Sequence, residues 1–167
     1  MASLADCTSM PKVLVRASPD LGDSLGVHFG LSTRDSSGAL VVGYGYGEWL
    51  VLDAPDPVPD VIQRLEATPY DGLRSVIDVT HGHALLRLTG ADTADLLSRL
   101  CPIDLSDDVT PNGAALRAPV GGLGVALVRD DVDGERSYLL VVDRSYAESL
   151  RDMLVDAGHE FGLAVAG

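Results

Sequence analysis

The sequence predicts an α+β fold built mainly on antiparallel sheet, and three observations carry that prediction. Apolar and β-branched runs of strand length outnumber helical stretches, and several come as neighbours joined by short turn signals. Three amphipathic segments interrupt the strands in blocks instead of alternating singly with them, as a parallel βαβ array would require. Glycine (18) and proline (9) are spread along the whole chain, so they punctuate turns and do not form a linker that would split it. The expected organisation is a flexible segment over residues 1–11 followed by one domain over residues 12–167.

Taken in order, Lys12-Val-Leu-Val-Arg16, Leu25-Gly-Val-His-Phe29 and Leu40-Val-Val42 are strand candidates, with a polar turn over Ser32–Gly38. Gly43-Tyr-Gly-Tyr-Gly47 leads into Glu48-Trp-Leu-Val-Leu52, a buried strand. Asp56-Pro-Val-Pro-Asp60 opens the first helix, whose Val58, Ile62 and Leu65 share one face. Ser75–Thr80 and Ala84–Leu88 are strands flanking the turn His81-Gly-His83. Leu96, Leu97 and Leu100 then stripe a short second helix that Cys101-Pro102 ends. Ala114–Ala118, Gly124–Val128 and Ser137–Val142 are strands, the last two joined through the hairpin signal Asp133-Gly134. The third helix starts at the capping box Ser145-Tyr-Ala-Glu148 and carries Tyr146, Leu150, Met153, Leu154 and Ala157 on one face to Gly158. Phe161–Val165 is a closing strand.

Composition narrows the function. With 46% hydrophobic and 22% charged residues the chain can bury a core, and 167 residues suffice for one without staples. Twelve Lys and Arg against twenty-five Asp and Glu leave a net charge of −13, with Lys12 as the single lysine. Nucleic-acid binding needs clustered cations to displace counterions, and anionic membrane surfaces repel such a chain. A basic partner surface is the electrostatic match, although the acidity also serves solubility alone. Cys7 and Cys101 make no disulfide framework. No apolar run approaches the roughly 20 residues of a membrane span, and the first residues lack a signal-peptide pattern, so a cytoplasmic protein is expected.

The search for chemistry finds no catalytic constellation. Gly43–Gly47 lacks the dinucleotide spacing and enters a strand, not a helix, so it reads as a turn or bulge. Gly121-Gly-Leu-Gly124 reads the same way. His81 and His83 near Asp78 lack the further ligands of a metal site. Cys101 has no adjacent base, and a helix C-terminus raises a thiol pKa. The aspartates at 104, 107 and 108 and at 130, 131 and 133 lie in turns, and neither set makes the twelve-residue calcium loop. Trp49 is read first as core and second as an interface anchor. Catalytic residues and metal ligands are therefore none. The pocket candidates are Tyr44, Tyr46, Trp49 and Arg87, placed between the helix-bearing blocks.

A group of segments then carries a resemblance: Glu48-Trp-Leu-Val-Leu52, Ser75-Val-Ile-Asp-Val-Thr-His-Gly-His83, Leu86-Arg-Leu-Thr-Gly90, Ala94-Asp-Leu-Leu97, Cys101-Pro-Ile-Asp-Leu105 and Tyr138-Leu-Leu-Val-Val-Asp-Arg-Ser-Tyr-Ala147. In this order they resemble the gamma subunit of heterotetrameric sarcosine oxidase, over residues 44–163. That family is related in fold to the folate-binding aminomethyltransferase of the glycine cleavage system. The resemblance implies an accessory subunit without a cofactor of its own, packed against larger alpha- and beta-type subunits that carry FAD, FMN, NAD and tetrahydrofolate, with a small zinc-containing subunit completing the set. It transfers no catalytic residue. The segment before residue 44 diverges, and the Lys-Gly-Cys-Tyr motif of a related iron–sulfur repair protein is absent. The alternative is a free-standing folate or small-molecule binder, or a one-carbon transfer enzyme, on the same fold and homodimeric.

Overall fold

The computed structural model describes residues 1–167. Eleven strands and four α-helices follow one another as β1 (Ser3–Asp6), β2 (Lys12–Ala17), α1 (Leu21–Leu25), β3 (Ser32–Arg34), β4 (Leu40–Gly45), β5 (Glu48–Leu52), α2 (Val58–Ala67), β6 (Arg74–Asp78), β7 (His83–Thr89), α3 (Thr93–Ser98), β8 (Ala115–Val120), β9 (Leu123–Arg129), β10 (Ser137–Asp143), α4 (Ala147–Gly158) and β11 (Ala164–Val165). They form two sheets, ordered β11-β1-β7-β10-β9-β8 and β3-β4-β5-β2-β6. Every pairing is antiparallel except β1 with β11. The α+β class with mostly antiparallel sheet is as the sequence predicts.

The layers run helix, sheet, sheet, helix, and the strand sequences explain why. A strand covered on one face alternates apolar with polar, whereas one covered on both faces reads as a continuous apolar run. In β10, Tyr138, Leu140 and Val142 join the core beneath α3 and α4, while Leu139 and Val141 point into the layer between the sheets. In β5, Trp49 and Val51 pack under α1 and α2, and Leu50 and Leu52 meet the other sheet. No helix is long and apolar enough to cross a membrane.

Several expectations are corrected. Residues 1–11, expected to be flexible and without an element, contain β1, because Ala2 and Leu4 are buried against the helix-covered face and β1 pairs with β7 and β11. Leu25–Phe29 is not a strand. Leu25 ends α1, a helix beyond the expected three, and Gly26 at φ 78° turns the chain out of it. Residues 28–31 then strap the two sheets together: Gly30 N donates to Gly43 O (2.8 Å), Gly43 N to Leu31 O (2.9 Å) and Ala115 N to Gly30 O (3.0 Å). Gly43 permits this approach, since a Cβ there would lie 2.2 Å from His28 O. The strands on either side of His81-Gly-His83 do not pair with each other, and residues 79–82 do more than turn the chain. They carry the chain from one sheet to the other, because β6 pairs with β2 and β7 with β1 and β10. The capping box does not form. Asp143 accepts from Ser145 N (2.9 Å) and from its Oγ (2.7 Å), a 3-10 turn covers Arg144–Tyr146, and α4 begins at Ala147. The Asp133-Gly134 signal works as read, with positive φ at both residues (51° and 79°) linking β9 to β10.

Candidate functional site

Between the two sheets, at the end of the sandwich where β7 begins and β10 finishes, the layers part into an open cleft of about 720 Å³. Its floor is apolar: Leu14 from β2, Leu50 from β5, Val125 and Ala126 from β9, and Val141 and Val142 from β10. Gly122 and Gly124, in and after the β8–β9 turn, line it without side chains, and a Cβ at either would meet nothing within 4 Å. These glycines keep that wall of the cleft low.

Charged groups stand at the two ends. At one end Glu48 sits between Arg16, whose Nε is 3.1 Å from Oε1, and Arg117, which bonds Oε2. The Arg117 guanidinium also lies over the Tyr44 ring, 4.5 Å from its centre, where the negative face of the ring attracts it. Burial raises the Tyr44 phenol pKa, the Glu48 charge adds to the rise, and Arg117 opposes it. Tyr44 therefore stays protonated at neutral pH and cannot serve as a base there. At the other end Asp143 is held below the usual carboxylate range by its hydrogen bonds with Ser145, and the neighbouring His83 has a buried Nδ1 without a hydrogen-bond partner.

Each carboxylate in the cleft is engaged by a neighbour, and neither thiol lies in it: Cys7 is buried between the sheets with its pKa raised by burial, and Cys101 is buried in the helix-side core. No three His, Cys, Asp or Glu side chains converge as metal ligands would.

The four pocket candidates separate. Tyr44 lines the cleft, and Tyr46, at the exposed tip of the β4–β5 turn, lines a smaller groove beside it. Trp49 is core, 2% exposed, with Nε1 donating to Val27 O (3.0 Å). Arg87 lies four residues along β7 from the cleft-lining His83, about 14 Å away at strand rise. There it bonds Asp130 (2.8 Å) and Ser137 Oγ (2.9 Å), and the same Asp130 oxygen accepts from Arg34 of the other sheet. Arg87 is thus an inter-sheet tie. The residues missed were Arg16, Arg117 and Asp143. A sign was available for the first two, since each is the one charged residue beyond the first position of a strand apolar on either side of it, β2 and β8.

The family model described as GCVT N-terminal domain matches residues 54–167. Over 141 residues the chain is 26% identical to the sarcosine oxidase subunit gamma of Corynebacterium sp. (strain P-1), covering 84% of this chain and 67% of that protein. It is 33% identical over 90 residues to the aminomethyltransferase of Saccharopolyspora erythraea, covering 54% of this chain but 24% of that longer protein. A match to the sarcosine oxidase subunit alpha of Rhizobium meliloti, 31% identical over 91 residues, takes in 9% of that protein. Among solved structures, a chain of the heterotetrameric sarcosine oxidase from Corynebacterium sp. U-96, in complex with pyrrole 2-carboxylate, superposes with a TM-score of 0.81 at 24% identity, over 99% of this chain and 88% of that one. The glycine cleavage system aminomethyltransferase T from Bartonella henselae superposes at 0.73 and 15% identity, over 99% of this chain and 48% of its own. At these identities the two structures establish the shared fold.

Proposed function

Because the chain belongs to the family of GCVT N-terminal domains, we propose that it is a non-catalytic, gamma-type accessory subunit of a heteromeric, flavin-dependent sarcosine-type oxidase linked to folate one-carbon metabolism. The observation that carries this reading is the extent of the gamma-subunit likeness. It reaches 84% of the chain, whereas the aminomethyltransferase and alpha-subunit likenesses stop at 54% and 53%. The cleft chemistry agrees with it as far as the carboxylates go, since Glu48 and Asp143 are both engaged by neighbours, and the His83 imidazole is the one candidate base left at the cleft. On this reading FAD, FMN, NAD and tetrahydrofolate belong to larger alpha- and beta-type subunits, and this chain contributes surface and shape. Co-expression with candidate alpha and beta chains is the test. One co-eluting complex is expected, with oxidase activity that falls when this chain is omitted. Equal yield and equal activity without it would defeat the proposal.

A second reading, a free-standing folate or small-molecule binder, is favoured by one observation. The cleft has the volume and apolar floor of a small-molecule site, with Arg16 and Arg117 at its rim. A flat ligand with carboxylates would meet an apolar floor in Leu14, Leu50 and Val125 and two cations in Arg16 and Arg117, both of which Glu48 also engages. Calorimetric titration of the isolated chain with tetrahydrofolate decides this. Saturable heat is expected if the cleft binds it, and none at high concentration ends the idea.

A further inference from the structure

Beside the cleft lies a groove of about 510 Å³ lined by Phe29, Tyr44, Tyr46, Leu116, Glu48 and Arg117, with Gly45 between the tyrosines. The chain holds only eight aromatic residues, and two of them, Phe29 at 61% exposure and Tyr46 at 80%, stand in this one groove. Two large aromatic rings exposed side by side make an apolar patch of the kind that another molecule covers. The frame beneath them is fixed. Phe29 belongs to the strap whose backbone bonds both β4 and β8, and Tyr46 sits on the tight β4–β5 turn. Aromatic side chains on such a frame lose little freedom on docking, and Tyr and Arg are the residues on which interface energy concentrates.

Charge identifies the occupant. Elsewhere the ion-paired arginines meet at least as many carboxylates as there are arginines: Arg64 has Asp35 and Asp56, Arg34 and Arg87 share Asp53 and Asp130, Arg129 and Arg136 share Asp107 and Asp131, and Arg99 has Glu160. Arg74, Arg144 and Arg151 meet no carboxylate, and among the ion-paired arginines those at the groove alone outnumber their carboxylates. Arg16 and Arg117, with side chains 58% and 57% exposed, share the single carboxylate of Glu48. One positive charge is left over at the mouth of an aromatic groove, on a chain whose net charge is −13. That same net charge opposes a second copy of this chain as the occupant.

We propose that this groove is the surface on which a larger partner subunit docks, by an apolar segment carrying an acidic side chain directed at Arg16 and Arg117. The inference rests on the accessory-subunit reading and adds the face and the chemistry of contact. The test measures affinity between this chain and candidate alpha and beta chains for the wild type and three variants. The double variant Phe29→Ser/Tyr46→Ser is expected to bind about 100-fold more weakly. Arg117→Glu should slow association and flatten its dependence on salt. Leu73→Ser removes an apolar side chain that is 95% exposed but away from the groove, and should leave affinity within about 2-fold, as near-neutral surface positions do. Unchanged circular dichroism and unfolding midpoints of the isolated variants separate lost contact from lost fold. Wild-type complex formation that the double variant does not weaken overturns the groove while sparing the subunit reading. Failure of the wild type to bind any candidate overturns both. A wild-type homodimer in sedimentation that the double variant dissolves overturns the partner assignment in favour of a second copy.

Discussion

Arg129 and Arg117 stand on neighbouring strands, β9 and β8, of one sheet, and they are put to opposite uses. The Arg129 side chain is 8% exposed, and all three of its guanidinium nitrogens are hydrogen-bonded. Nε and Nη2 meet the two oxygens of Asp131 at 3.1 and 3.0 Å, and Nη1 bonds Asp107 and the Thr110 carbonyl. These hydrogen bonds, first of all the one with Asp131, hold its pKa above the ordinary arginine value. Arg117 is mostly in water and competes with Arg16 for one carboxylate. The first ties the 104–112 loop to the sheet, whereas the second makes one shared ion pair and one ring contact at the surface. In this pair, the arginine with two carboxylates serves the fold, and the one that shares a single carboxylate is open to another molecule.

If that contrast holds, Arg129→Ala should have the largest effect, about 3–5 kcal/mol of stability, because it strands the largely buried Asp131 without its bidentate partner. Urea denaturation measures it, and a loss below about 1 kcal/mol would place Arg129 among ordinary surface pairs. Gly43→Ala comes next. The added Cβ would press on the His28 carbonyl and push the strap off β4, for about 1–3 kcal/mol. A neutral result would mean that the frame beneath the groove yields easily, which weakens the case for a preformed docking surface.

The acid limb sharpens the same comparison. Asp107 has its pKa lowered from an ordinary value of 3.8, chiefly by the hydrogen bond from Arg129 and further by Arg136. Its folded form therefore binds a proton less readily than its unfolded form. The stability it contributes is present above 3.8 and is lost as pH falls through the lowered folded value. Asp107→Asn should flatten the drop in unfolding midpoint over that acidic range. Other depressed aspartates, such as Asp6 and Asp78, preserve the rest of it. Superimposable wild-type and variant curves would show that Asp107 carries none of the acid sensitivity.

How much of this was legible in the sequence depends on how local each cause is. β5 and β10 could be read because burial on both faces demands an unbroken apolar run, and Trp49 falls in the core for that reason. β1 could not, since a four-residue strand with one large apolar residue, Leu4, has no pattern to detect. Nor could α1, whose five residues complete barely more than one turn. The cleft was only half visible. Tyr44 and Tyr46 announced themselves by their glycines, but Arg16 and Glu48 meet only through the β2–β5 register, and Arg117 joins them only after the two sheets stack. Arg87 was misplaced because a strand sequence does not tell which of its ends faces an opening.

The smallest expected effect is also the most telling. Arg117→Ala removes one side of a pair in which Arg117 is 57% and Glu48 24% exposed. Arg16 remains to neutralise Glu48, 3.1 Å away, so no charge is stranded. The Tyr44 ring loses a cation above it, an exchange worth about 0.5–1 kcal/mol at an exposed site. The net change in unfolding free energy should therefore stay below about 1 kcal/mol. A charged residue on a sheet that can be deleted so cheaply from the isolated chain is not kept there by folding. If its removal instead costs as much as removing Arg129, then the Arg16–Glu48–Arg117 cluster holds the sheets together and its spare charge is not available to a partner.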